Sequence, residues 1–153
     1  GTSVGASTTH LAAALEANGG GTFTSVDNLS ILSPGYGCGE LIPDDLRTRV
    51  ELVEANGVTF IQRQACADFI LEDMVHMPES VGAVWARALD ILTPGGSIVS
   101  HDAAHPLYTD HVQAGIAAAL GGDPQPAPLL MLIRPSDTGL VIWRKSGARI
   151  DAE

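Results

Sequence analysis

Runs of β-branched and aromatic residues alternate along this chain with stretches of helical periodicity, and glycine or proline separates each from the next. That alternation constrains the fold most, because strands joined through helices return parallel and pack into a sheet covered on both faces. The helical pattern from His10 to Ala17 stops at Asn18-Gly19-Gly20-Gly21, and Thr22 to Asp27 then reads as a strand ending on an acid. Pro34, Gly35, Gly37 and Gly39 impose a loop between Asn28 and Glu40. Asp44 or Asp45 can cap a helix to about Ala55, with Leu46, Val50 and Val53 on one face. Asn56-Gly57 ends that helix, and Val58 to Ile61 reads as a second strand, finishing near Gln62.

Phe69-Ile70-Leu71, inside Asp68 to Asp73, fits a buried strand. Pro78 and Glu79 open a helix to about Leu92, with Val81, Val84, Trp85, Ala88 and Leu89 at helical spacing. Thr93-Pro94-Gly95-Gly96 turns the chain into the strand Ser97 to Ser100, which ends at His101-Asp102. A helix from about Asp110 to Leu120 follows. Leu129 to Ile133 and Leu140 to Trp143, joined across Arg134 to Gly139, read as an antiparallel pair. The expected architecture is one α/β domain over residues 1–153, a three-layer sandwich with a mostly parallel sheet and a C-terminal antiparallel hairpin.

Composition narrows the functions such a fold can carry. With 153 residues, 45% hydrophobic and 17% charged, the chain suits one packed domain and not a charged, disordered tail. Eighteen acids against eight cations give a net charge of -10, which repels phosphate backbones and argues against nucleic-acid binding. Lys145 is the sole lysine, so amine chemistry has one position only. No apolar run is long enough for a membrane span, no export signal is visible, and Cys38 and Cys66 are too few for a disulfide scaffold. A cytoplasmic protein is expected.

Four segments stand in a telling order: Gly1-Thr2-Ser3-Val4-Gly5-Ala6-Ser7-Thr8, Ser25-Val26-Asp27, Asp68 to Asp73, and Leu92 to Asp102. With the terminal hairpin, they resemble the class I S-adenosylmethionine-dependent methyltransferases over nearly the whole chain. The resemblance implies a Rossmann-like fold, S-adenosylmethionine as cofactor and a small-molecule acceptor, methylated at oxygen. It also implies cofactor contacts from Gly1, Thr2, Ser3, Gly5, Ser7, Asp27, Asn28, Gln64 and Ala65. Physical reasons support the pattern, since glycines before a helix allow close backbone approach and offer helix N–H groups to a ligand. An acid ending the next strand can accept hydrogen bonds from both ribose hydroxyls. Ser3 stands where the family has a second glycine. No strand precedes Gly1, so the sequence is read as a piece of a longer chain. The short interval between Gln62 and Asp68 cannot carry a parallel crossover, so a segment near 65–67 is expected to be missing.

Asp73 and His76 follow one strand, and His101, Asp102 and His105 follow the next, so these side chains are expected together at the carboxyl edge of the sheet. Metal-dependent O-methyltransferases of the catechol type place an acid after the first strand and a polar pair after the second. Asp73 matches the first, His101-Asp102 the second, and His76 stands where that family often has lysine. The resemblance implies a divalent metal such as Mg²⁺ on Asp73, His101 and Asp102, with His76 taking the acceptor's proton; without a metal, His76 or His105 serves as general base. The alternative leaves Asp73 as a cofactor contact or helix cap, with His101 simply packing. Trp85, Trp143, Met74, Met77 and Met131 are expected to pack; Tyr36 and Tyr108 suit a pocket wall. Arg47, Arg49 and Arg87 are expected on a solvated helix face. A related metal-dependent, hydroxylase-like enzyme or a non-catalytic domain of the same fold are the competing functions, and a homodimer is unsurprising for such a chain.

Overall fold

A computed structural model of the chain describes residues 1–29, 35, 37–121, 129–132 and 138–146, with side chains throughout except at 129–132. Two compact units divide it, Gly1–Phe60 and Ile61–Glu153. In the first, the glycine-rich turn leads into α1 (Ala6–Ala17), which buries Thr8 and Ala12. The amides of Gly19 and Gly20 close back on the carbonyls of Glu16 and Leu15, with Gly19 at φ 78, so the glycine run ends the helix as expected. β1 (Phe23–Asp27) pairs in parallel with β2 (Val50–Glu54), from Phe23 opposite Val50 to Asp27 opposite Glu54.

β2 corrects the sequence reading. Residues 50–54 were expected in a helix and Val58 to Ile61 in a strand, but the structure exchanges them. A single 3-10 turn at Arg47–Arg49 leads into β2, and the short helix α2 occupies Gly57–Ile61. Val50 and Val53 match a helical face by spacing, yet as β-branched residues they suit the pleated edge that β1 offers. Asn56 begins the helix instead of ending one: its Oδ1 accepts the Thr59 N–H at 3.1 Å, an N-cap. With no strand ending near Gln62, the short crossover that suggested missing residues near 65–67 loses its premise. Residues 30–34 and 36 of the loop expected over Asn28 to Glu40 lie outside the described residues, Tyr36 among them.

The second unit holds a four-stranded sheet of order β3-β4-β6-β5. β3 (Ala67–Glu72) runs parallel to β4 (Leu92–His101); β6 (Leu140–Arg144) is antiparallel to β4 and to β5 (Leu129–Leu132). The terminal antiparallel pair is therefore as expected, while most of its connection lies outside the described residues. β4 begins earlier than predicted, because Thr93 to Gly96 join the strand through a register shift opposite Ala67 and Phe69. Gly96 is held there by lack of space, since a Cβ would stand 2.9 Å from the Asp68 carbonyl oxygen.

α3 (Pro78–Ile91) and α4 (Thr109–Ala119) pack on each other and build this unit's core. Trp85, Val81, Ile98, Val112 and Val141 are almost wholly buried. The two helices meet at glycine: a Cβ on Gly115 would lie 2.7 Å from the Pro78 carbonyl oxygen, and one on Gly82 3.2 Å from the Gly115 carbonyl oxygen. Trp85 packs as expected, Trp143 is only half-buried, and Met77 is exposed. The arginines share no helix face. Arg49 pairs with Glu16 at 2.7 Å, whereas Arg87 donates to the Gln64 carbonyl at 2.6 Å. Lys145 donates to the Leu89 carbonyl at 2.9 Å near the end of α3, a capping role.

Candidate functional site

The first unit shapes its glycine-rich turn around the acid that ends β1. The Ser3 N–H donates to Asp27 Oδ2 at 2.8 Å and the Leu29 N–H to Oδ1 at 2.7 Å. Ser3 takes φ 48, a left-handed conformation unusual for serine, which aims its amide at the carboxylate. Gly5 at φ 100 has no room for a side chain: a Cβ would meet Ile42 Cγ1 at 2.8 Å and Gly39 Cα at 3.0 Å. Backbone bonds from Gly39 N–H to the Ser3 carbonyl and from Leu41 N–H to the Val4 carbonyl hold the turn from outside.

Hydroxyls hold it from within. Ser25 Oγ lies 2.8 Å from Thr2 Oγ1 and 2.8 Å from Thr8 Oγ1, all three buried. The structure thus brings Thr2, Ser3, Gly5 and Asp27 together, as the sequence implied. Ser7 and Asn28 are exposed beside them, and Gly1 opens the turn. A carboxylate offers about four acceptor positions, so the two donors that Asp27 meets among the described residues leave room for two more. α1 begins at Gly5 without a side-chain cap. The turn therefore fits the amino-acid and ribose parts of a nucleoside ligand. Burial pushes the Cys38 thiol above its ordinary value, and the nearby Asp27 charge adds to this, which favours the neutral thiol over the thiolate. Gln64 and Ala65 belong to the second unit, where the Gln64 carbonyl accepts from Arg87 and Ala65 is exposed.

In the second unit the ends of β3 and β4 carry the titratable cluster. His76 Nε2 donates to Asp102 Oδ2 at 2.7 Å. One ligand atom each from Asp73, His76 and Asp102 can be chosen so that all lie within 4.8 Å of one another. His101 Nδ1 stands 3.0 Å from Asp102 Oδ1 and 3.6 Å from Asp73 Oδ1, with its side chain about a third exposed. The set that closes thus holds His76 where the sequence reading had placed His101. Asp102 adopts φ 57, turning the chain sharply where β4 ends.

His76 is nine-tenths buried, and its Nδ1 is sealed from solvent without a hydrogen-bond partner among the described residues. Its chemically useful nitrogen is therefore Nε2. Tyr108 packs against the His76 ring at 4.8 Å between centroids and stacks on His105 at 4.7 Å, a planar wall beside the cluster. His105 Nδ1 accepts the Leu107 N–H at 3.2 Å. In its neutral form a ring so held carries its proton on Nε2 and can donate there. Sequence reasoning missed Glu72, the last residue of β3. It is 2% exposed and accepts from Ser100 Oγ at 2.7 Å, which in turn accepts from Trp85 Nε1 at 2.7 Å. Burial raises the Glu72 pKa, against the Ser100 hydrogen bond and the His76 charge. Its one signal in sequence was an acid closing an apolar run.

A glycine turn clasping a strand-end acid, together with parallel strands and a terminal antiparallel pair, defines a Rossmann-like α/β protein of the nucleoside-binding kind. The chain belongs to the methyltransferase domain family, whose profile matches residues 1–103. Solved structures share its fold. One is described as an rRNA methylase from Clostridium thermocellum: TM-score 0.67, 16% identity, covering 94% of this chain and 85% of that one. Another, described as an O-methyltransferase from Klebsiella pneumoniae, has TM-score 0.62 and 20% identity, covering 95% and 71%. A third, described as a methyltransferase from Streptococcus mutans and solved in complex with SAH, has TM-score 0.61 and 14% identity, covering 95% and 85%. Among curated proteins no sequence matches it. No described helix is long and apolar enough to cross a membrane.

Proposed function

We propose that this chain is an S-adenosylmethionine-dependent methyltransferase that acts on an oxygen of a small-molecule acceptor. The observation that carries the reading is the Ser3–Asp27 contact, which sets a strand-end carboxylate under a glycine turn with acceptor capacity to spare. S-adenosylmethionine, when bound, supplies a methyl carbon activated by its sulfonium. Asp27 holds the ribose hydroxyls, and the turn from Gly1 to Ser7 receives the amino-acid end. The acceptor's hydroxyl loses its proton at the Asp73–His76–Asp102 cluster, while Tyr108 and His105 align a flat acceptor through stacking and a hydrogen bond from Nε2. A net charge of -10 supports a small acceptor over an RNA, despite the rRNA methylase that shares the fold. The free thiols of Cys38 and Cys66 suit a cytoplasmic location.

The test is calorimetric titration with S-adenosylmethionine, on the native chain and on Asp27→Ala. Two charge-assisted hydrogen bonds of about 1.5 kcal/mol or more each imply a loss of at least roughly 100-fold in affinity. Binding that survives the substitution within threefold rejects the reading.

A further inference from the structure

We propose that Val75, Met77, Leu107 and Tyr108 form an apolar collar around the His76–Asp102 pair, which selects acceptors carrying an uncharged hydrocarbon tail beside the hydroxyl group to be methylated. The inference rests on the methyl-transfer reading of the same site and adds the part of the acceptor that does not react.

Tight turns build the collar. The Met77 N–H donates to the Val75 carbonyl at 2.8 Å, closing a three-residue turn about His76. The central side chain of that turn is nine-tenths buried, whereas Val75 and Met77 on either side of it are 50% and 47% exposed. After β4, the His105 N–H donates to the Asp102 carbonyl at 3.1 Å and the Tyr108 N–H to the His105 carbonyl at 3.0 Å. These consecutive turns, with Pro106 inside the second, leave Leu107 73% and Tyr108 37% exposed. The Tyr108 ring lies 4.8 Å from that of His76, so the two segments meet at this imidazole.

Such exposure is concentrated here. Among the described residues seven large apolar side chains are exposed, and four of them stand on these two segments. Exposed apolar side chains gathered in one place mark a binding site. The pair at their centre says what occupies it: a protein surface laid over the collar would seal His76 and Asp102 from any acceptor, whereas a small molecule brings its own hydroxyl to them.

Charge then narrows the acceptor. Residues 73–77 and 102–111 include Asp73, Asp102 and Asp110 but neither lysine nor arginine. The imidazoles nearby are already engaged, His76 and His101 with the aspartates and His111 with the His76 carbonyl. An anionic substituent would meet carboxylates and apolar side chains, with no permanent cation to offset its loss of water. A ring aligned on Tyr108 and His105 covers that stacked pair. Val75, Met77 and Leu107 remain for the substituent, and hydrocarbon is what they can hold.

The test compares phenol, para-pentylphenol and the same alkylphenol with a carboxylate in place of its terminal methyl group, each with S-adenosylmethionine and the native chain. Half-burial of a five-carbon tail implies a kcat/KM at least about 30-fold above that of phenol. The carboxylate should fall at least about tenfold below para-pentylphenol. In the double variant Met77→Ser/Leu107→Ser the preference for para-pentylphenol over phenol should drop below about fivefold. In Leu52→Ser, at an exposed leucine of β2, it should stay within about twofold of native. Equal turnover of phenol and para-pentylphenol, a carboxylate as good as para-pentylphenol, or a preference kept in the double variant overturns the collar. Should none of the three be methylated, the reaction reading is what fails, and binding decides the collar by itself. The chain has three methionines, so methyl-labelled methionine gives three NMR signals, with that of Met77 assigned through Met77→Leu. para-Pentylphenol should move the Met77 signal and the carboxylate should leave it in place; a signal unmoved by para-pentylphenol overturns the proposal. A native dimer in sedimentation that the double variant turns into monomers assigns these side chains to a second copy, and overturns it too.

Discussion

Replacing Gly115 by alanine probes how closely α3 and α4 must approach to build the second unit. The new Cβ would stand 2.7 Å from the Pro78 carbonyl oxygen, 2.7 Å from Val81 Cβ and 2.9 Å from Gly82 N. Comfortable contact begins near about 3.5 Å, so the helices must separate by roughly 0.7 Å. None of these three atoms is the free end of a flexible side chain, so the strain cannot be relieved by a rotamer change. Overpacking of this kind costs up to about 3 kcal/mol, and alanine returns about 1 kcal/mol through helix propensity. The net loss is about 2 kcal/mol, or roughly 4–8 °C in melting temperature for a chain of this size. Urea unfolding and a thermal melt measure it. Gly20→Ala is the control, since nothing lies within 4 Å of a Cβ there, and its stability should stay within about 0.5 kcal/mol of native. A Gly115→Ala protein as stable as the native chain would refute the steric account.

Ser25→Ala leaves the buried hydroxyls of Thr2 and Thr8 without their shared partner, so unfolding in urea should show a loss of about 1–3 kcal/mol. Glu72 gives a pH dependence. Its folded-state pKa is raised, chiefly by burial, so the folded chain holds this proton more tightly than the unfolded one. Its contribution is greatest below the ordinary glutamate value and is lost as pH rises through the raised one. Glu72→Gln should flatten that decline in metal-free buffer; an unchanged slope of urea midpoint against pH would count against it.

Much of the arrangement was legible because local chemistry and tertiary need agreed. The Asn18–Gly21 stop, Pro78 at the start of α3 and the terminal hairpin are each specified by residues that tolerate little else. The stretch from Asp44 to Ile61 misled because Leu46, Val50 and Val53 satisfy a helical period while the pairing edge of β1 favours a strand. Local pattern cannot reveal a partner strand more than twenty residues away. Among candidate site residues, the turn and Asp27 were visible as types at strand ends, whereas the closeness of His76 to Asp102 depends on how the chain turns at Asp102. Glu72 was hidden because its partner Ser100 lies on another strand.

The three hydroxyls of Thr2, Thr8 and Ser25 have a consequence for recognition. They fasten the glycine segment to β1 before any guest arrives, so little chain entropy remains to be lost on docking. A cradle set in advance also resists reshaping, and a nucleotide bearing a phosphate would bring its negative charge toward the Asp27 carboxylate with no slack to move away.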